Sequence, residues 1–139
     1  FVEVRREYAR FTAEQAGRCL ESDSSSAEAK ARLRDSAFAF GQELRRDLRI
    51  RSAAEVMRAG RLLYRLLGID FQGSASGGIV IRKCFFASYY ASRTCGFISA
   101  LDEGILAGLA GGGRLEFSER MTDERPCCLA RFEFPAGLR

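Results

Sequence analysis

Five cysteines and no histidine set the chemistry open to this chain. Without an imidazole there is no ordinary Cys–His dyad and no His-bearing zinc site. Any catalysis falls to Cys, Asp, Glu, Tyr, Ser, Arg or the two lysines. Cys84 closes a short apolar run, Cys95 stands at the head of a helical pattern, and Cys127-Cys128 open the last alternating segment. Cys19 stands apart in the first helical stretch. A thiol at a helix N-terminus has a lowered pKa, because the helix dipole favours the thiolate. Cys95 is therefore the nucleophile to expect. Helical spacing puts Ser99 and Asp102 on the same face at i+4 and i+7, with Asp102 as the acid/base. The plain alternative keeps Cys95 as a small core residue and Asp102 facing water, since free cysteine is among the most buried residue types.

A metal is the lesser alternative. Cys84, Cys95 and Cys127 (or Cys128) could supply three thiolates, with Asp102 or Glu103 as the fourth ligand. No CxxC pair is present, so no stoichiometric zinc and no other cofactor is expected. Phe85, Phe86, Tyr89 and Tyr90, together with Phe132 and Phe134, could wall an apolar pocket or simply fill a core. The ligand-contacting set read this way is Phe85, Tyr89, Tyr90, Ser99, Cys128 and Phe132, with Cys84, Cys95 and Asp102 carrying any reaction.

These residues need elements to position them. Val4, Tyr8, Phe11, Ala16 and Leu20 mark a first helix. Ser25 with Glu28 forms a capping box for a second, whose apolar face runs through Ala29, Leu33, Ala37, Phe40, Leu44 and Leu48. Ser52 with Glu55 opens a third, with Val56, Gly60, Leu63 and Leu67 on one face and Met57, Leu62, Tyr64 and Leu66 widening it; Gly68 ends it. The period then turns to alternation. Ile69–Phe71 and Ile79–Cys84 read as a hairpin around the loop at 73–78. A fourth helix runs from about Cys95 to Ala110, capped by Ser92 or Thr94 and stopped by Gly111-Gly112-Gly113. Arg114–Met121 and Cys127–Phe134 form a second hairpin, with Cys128, Ala130, Phe132 and Phe134 on one face.

The expected fold is α+β: three N-terminal helices, then a ββαββ half with a small antiparallel sheet. It is read as one domain over 1–139, with a helical half at 1–67 and a cysteine-bearing sheet half at 68–139. Gly104 and Gly108 share a face of the fourth helix, where each weakens the helix by roughly 1 kcal/mol relative to Ala. Close approach to the sheet, or to a partner helix in a homodimer, would account for them.

The net charge of +4 lies in the helical half, where acids interleave with the arginines. That is the pattern of a solvated helix face, so a nucleic-acid partner is not expected. No apolar run approaches the roughly 20 residues of a bilayer span, so no membrane association is expected. An odd, irregularly spaced cysteine set points to reduced thiols and a cytoplasmic setting. The sequence starts at Phe1 rather than Met and is expected to be a fragment or a processed chain.

Lys83-Cys84, then Cys95, a Gly-bearing helix, a strand, and a late cysteine before Arg131-Phe132-Glu133-Phe134 resemble two related patterns. One is the L-2-amino-thiazoline-4-carboxylic acid hydrolase-like family; the other is the vinyl-4-reductase small-molecule-binding domain. The resemblance implies helices ahead of an α+β half, and a pocket for a small organic ligand with cysteines at its mouth. Cys84, Cys95 and Cys127 or Cys128 are the matching positions. Asp123-Glu124-Arg125-Pro126 stands where those patterns usually place a Gly, and Phe85 where a Pro often follows the first cysteine. These departures weigh against hydrolase activity more than against the fold. A non-catalytic ligand-sensing or protein-interaction module is the alternative reading.

Overall fold

The computed structural model describes residues 23–84 and 92–138, together with Arg6, Arg10, Ala13 and Glu14. The side chains of 23–26 and 92–98 lie outside that description, as does the first expected helix apart from those four residues, which are helical. Three described helices and a four-stranded antiparallel sheet follow in the order α1 (Asp23–Asp47), α2 (Ala53–Leu66), β1 (Ile69–Gly73), β2 (Gly78–Cys84), α3 (Ser92–Ala110), β3 (Arg114–Glu119) and β4 (Cys128–Glu133). The fold is thus mixed helix and sheet. No described helix is long and apolar enough to cross a membrane.

The two hairpins join through β2 and β4 into one sheet of order β1-β2-β4-β3. Ile81 sits opposite Cys128, and Ile79 opposite Ala130. One face of the sheet is apolar by alternation, interrupted by register shifts at Asp70/Phe71 and Phe117/Glu119. Phe71, Ile79, Leu115, Cys128, Ala130 and Phe132 are buried on it, while Arg131 and Glu133 point to solvent. α2 lies against β1, and α3 crosses the same face. α1 covers the far side of α3. The last turns of α3, Gly104 to Ala110, are buried on every side, as expected of a helix held between a sheet and another helix.

The glycines of α3 explain this third layer. A Cβ on Gly104 would stand 2.3 Å from the Arg34 carbonyl oxygen, and one on Gly108 would stand 2.4 Å from that of Phe38. Gly41 of α1 returns the contact: its Cβ would meet the Ile105 carbonyl oxygen at 2.5 Å. The two backbones therefore touch, and only hydrogen fits between them. The partner of the Gly104/Gly108 face is α1 of the same chain, not the sheet and not a second subunit. Arg34–Glu103 (3.0 Å) and a hydrogen bond from Arg45 to the Leu109 carbonyl oxygen (3.0 Å) fasten the crossing at its two ends.

This contact corrects the expected face of α1. Ala37 and Gly41 are the buried positions, with Phe38 and Leu44 packed beside them. Phe40 and Leu48 are 46% and 58% exposed. Large apolar residues at i+3 and i+4 spacing outvoted the small ones on paper, but backbone contact selects the small ones. α2 shows the same bias. Its core face is Ala53, Val56, Met57, Gly60 and Tyr64, whereas Leu62 and Leu66 are 59% and 69% exposed. Its Ser52 cap is as expected: the hydroxyl oxygen accepts from the Glu55 N–H at 3.2 Å. Gly68 follows with φ of 77°, which suits a residue without a Cβ.

Four boundaries shift. α1 begins at Asp23, so Ser25 lies inside it and is not its cap. α3 begins at Ser92, so Cys95 is its fourth residue rather than its first. β3 ends at Glu119, and Met121–Asp123 turn as a short 3₁₀ helix closed by Glu124 at φ 62°. β4 accordingly starts at Cys128.

Candidate functional site

Polar and thiol groups gather where the C-terminal end of β2 meets the start of β4. Tyr64 reaches this place from α2. It lies one turn beyond Gly60, whose missing side chain leaves room for the Phe71 ring, and Tyr64 stacks on that ring with centroids 5.1 Å apart. Its hydroxyl donates to the Asp102 Oδ1 at 2.5 Å. Asp102 is partly buried on α3. Ser99, one turn earlier on α3, is buried and accepts from the Arg120 guanidinium at 3.1 Å. Arg120 itself lies 4.4 Å over the Phe117 ring, a cation–π contact that holds it against the sheet. The turn after Arg120 brings the Met121 N–H to the Cys128 Sγ at 3.2 Å.

The electrostatics follow from burial. Asp102 has its pKa pushed up to about 6 by loss of water, against the opposing pull of the Tyr64 hydrogen bond and the Arg120 charge. Tyr64 is raised well above a normal phenol, first by burial and then by the Asp102 carboxylate; the nearby Cys84 adds to it. Burial also raises the Cys128 thiol, which the Met121 N–H and Arg120 partly offset. A carboxyl group that titrates near neutrality is suited to proton transfer. A thiol with a raised pKa is a poor nucleophile.

The expected residues are therefore sorted as follows. Ser99, Asp102, Cys84 and Cys128 are drawn together at this end of the sheet. The plain alternative for Asp102, that it faces water, is corrected by its bond to Tyr64. The side chain of Cys95, and Phe85, Tyr89 and Tyr90 entirely, lie outside the described residues. Phe132 is four residues along β4 from Cys128, about 13 Å away at the usual strand rise. It is core: it meets Phe134 edge-on with centroids 5.0 Å apart and packs under Gly113. Cys127 precedes β4, is half-buried, and lies near enough to Cys128 to help raise its pKa. Among the described residues, no three Cys, His, Asp or Glu groups gather as metal ligands. The Cys84, Cys95 and Cys127 set includes a side chain outside the description. Glu103, the alternative fourth ligand, is paired with Arg34.

Tyr64, Arg120 and Phe117 were not read as site residues from the sequence. Tyr64 is one apolar-face residue among many on α2, and Arg120 is one arginine among many. Only the fold pairs each with a partner on α3. The space enclosed by Tyr64, Ile81, Asp102, Leu106 and Phe117 is about 10 Å³, room for about one water. A larger recess of about 150 Å³ adjoins it, sharing Leu115 and Phe117, with Lys30, Ser99, Glu103 and Arg120 also on its walls. That recess suits a carboxylate or another small polar head group, not a whole drug-sized molecule.

Cys84 is half-buried and Cys128 is buried with a raised pKa, and neither is in a disulfide. Iodoacetamide at neutral pH should alkylate Cys84 well before Cys128, as read by peptide mass mapping. Faster labelling of Cys128 would contradict its burial beneath the Met121 turn.

Compared with known proteins, the chain matches no family model and no curated protein.

Proposed function

We propose that this chain is a small-molecule-binding domain that takes a small organic acid at the Ser99–Arg120–Asp102 end of α3. One observation carries the reading: two polar pairs, Tyr64–Asp102 and Ser99–Arg120, are set side by side within an otherwise apolar layer. Burying charged groups is rarely the cheapest way to hold a core, and perturbed ionisable groups collect at functional sites. The resemblance to the vinyl-4-reductase and thiazoline-carboxylate patterns supports the same class of ligand. Arg120 and Lys30 supply positive charge for a carboxylate in the recess of about 150 Å³, and the Cys128 thiol lies near Arg120. The unbridged thiols of Cys84, Cys127 and Cys128 fit a reducing compartment such as the cytoplasm.

A hydrolase is the second reading, and the near-neutral pKa of Asp102 favours it. Cys95 would attack and Asp102 would move the proton. Titration calorimetry with 2-amino-thiazoline-4-carboxylate tests both. Binding by the natural protein, lost in Arg120→Ala, is the expected result. No heat at millimolar probe, or equal binding by Arg120→Ala, overturns the site. Appearance of a free thiol from opening of the ring C–S bond, or of a primary amine from opening of the C–N bond, would favour the enzyme. Its loss in Asp102→Asn would assign the proton transfer.

A further inference from the structure

Among the described residues the outer edge of β1 is unpaired, and Arg61, Arg65 and Lys83 border it. β1 is the end strand of the sheet, and no described strand pairs with its outer side. A groove of about 410 Å³ follows it from Gly68 to Gln72. The hairpin bond from the Ser74 N–H to the Gly78 carbonyl oxygen fixes the alternation of main-chain groups. Gln72 then points its N–H and C=O at β2, while those of Phe71 and Gly73 point out to the edge. Such an edge is a ready template for another extended chain.

The groove is walled on both faces of the strand. On the helix side stand Arg61 and Arg65, one turn apart on α2 and exposed. On the other side stand Asp70, Gln72 and Lys83, with Asp70 opposite Lys83 in the ladder. Arg61, Arg65 and Lys83 form no ion pair among the described residues. The Asp70 carboxylate accepts from the Gln72 side-chain amide at 3.0 Å. Positive charge is thus in excess, and most of it lies on one face. An added strand would send alternate side chains toward Arg61 and Arg65, and the others toward the mixed face.

We propose that the β1 edge receives an extended acidic peptide segment of a partner protein by strand addition, with acidic side chains at every second position facing Arg61 and Arg65. Main-chain bonds to Phe71 and Gly73 give the register, and the arginines select the charge. This mode asks nothing of the Asp102 site, so the two stand or fall separately.

The test is fluorescence polarisation with a labelled peptide of alternating threonine and glutamate, about six residues long so as to span β1. Three comparisons accompany it: the same peptide N-methylated at alternate residues, a threonine–lysine peptide, and the Arg61→Ala/Arg65→Ala variant. Both arginines are exposed, so the variant should keep the melting temperature of the natural protein. Binding of the acidic peptide, weakened about tenfold or more by N-methylation and by the double variant, is the expected result. Equal binding of the N-methylated peptide would reduce the effect to charge alone and overturn strand addition. Displacement by inorganic phosphate at matched ionic strength would do the same. Equal binding of the lysine peptide, or no binding at millimolar peptide, overturns the proposal. So does a dimer of the natural protein that the double variant abolishes, since the edge would then belong to a second copy.

Discussion

Gly108→Leu should lower the melting temperature by about 10 °C or more, the effect of an overpacking cost near or above the usual 1–3 kcal/mol. The three nearest atoms that a Cβ at Gly108 would meet are all backbone: the Phe38 carbonyl oxygen at 2.4 Å, the Gly41 Cα at 2.7 Å and the Gln42 nitrogen at 2.8 Å. None can rotate away as the end of a flexible side chain would. Relief requires α1 to move off α3, which strains Arg34–Glu103 and Arg45–Leu109 together. Gly108→Ala should show a smaller loss in the same direction, although Ala is the better helix former by about 1 kcal/mol. Gly112, whose Cβ would meet nothing closer than Pro135 at 3.6 Å, makes a poor control because its φ is 138°. A melt of Ala54→Leu, on the exposed side of α2, is the better one and should be near neutral. Size-exclusion chromatography should show no change of oligomer in any of these, because the glycine face is spent within the chain. An unchanged or higher melting temperature for Gly108→Leu would contradict the backbone contact.

Asp102→Asn should stabilise the protein at pH 8 and lose that advantage as the pH falls to 4. The sign follows from linkage. The folded pKa of about 6 stands above the ordinary 3.8, so the folded state holds this proton more tightly than the unfolded state. Above pH 6 the carboxylate is ionised in both states, and its burial costs the folded one. As the pH falls through 6, the folded state takes up the proton and the cost is relieved, fully so near 3.8. Asn keeps an oxygen to accept from Tyr64 but carries no charge. The gain at pH 8 should be on the order of 1–3 kcal/mol, measured by urea unfolding. Tyr64→Phe removes the donor that holds the Asp102 pKa down, so the inflection in stability should move above 6. A variant Asp102→Asn that is weaker than the natural protein at pH 8 would show that Arg120 holds the carboxylate favourably, and would contradict the raised pKa.

Some of this was readable from the chain and some was not, for physical reasons. Both hairpins, their order and the core face of β4 follow from two-residue periodicity and from Gly-rich breaks, which are local signals. The Ser52 cap and the Gly68 stop are local too. The misplaced helix faces share one cause. Phe40, Leu48, Leu62 and Leu66 look like core because they are large, but which side of a helix is buried depends on what meets it. Gly41 carries no apolar signal of its own, although its spacing from Ala37 is helical. At the candidate site, Ser99 and Asp102 were legible from helical spacing. Their partners were not, because Tyr64 and Arg120 come from elements distant in sequence, and no local pattern encodes a contact across 38 or 21 positions.

The glycine seat between α1 and α3 also governs when the fold can be completed. Arg45 is 64 positions from Leu109, the carbonyl it caps. At ordinary translation rates α1 is finished about 3–13 s before α3 exists. During that interval the nascent chain holds a helix whose Gly41 seat is shaped for α3 backbone, and α3 is not yet made. A ribosome-stalled chain ending near Gly73 should therefore be digested readily by protease across α1. One stalled well beyond Ala110 should resist. Synthesis order, more than sequence boundaries, makes the helical half wait for the sheet half.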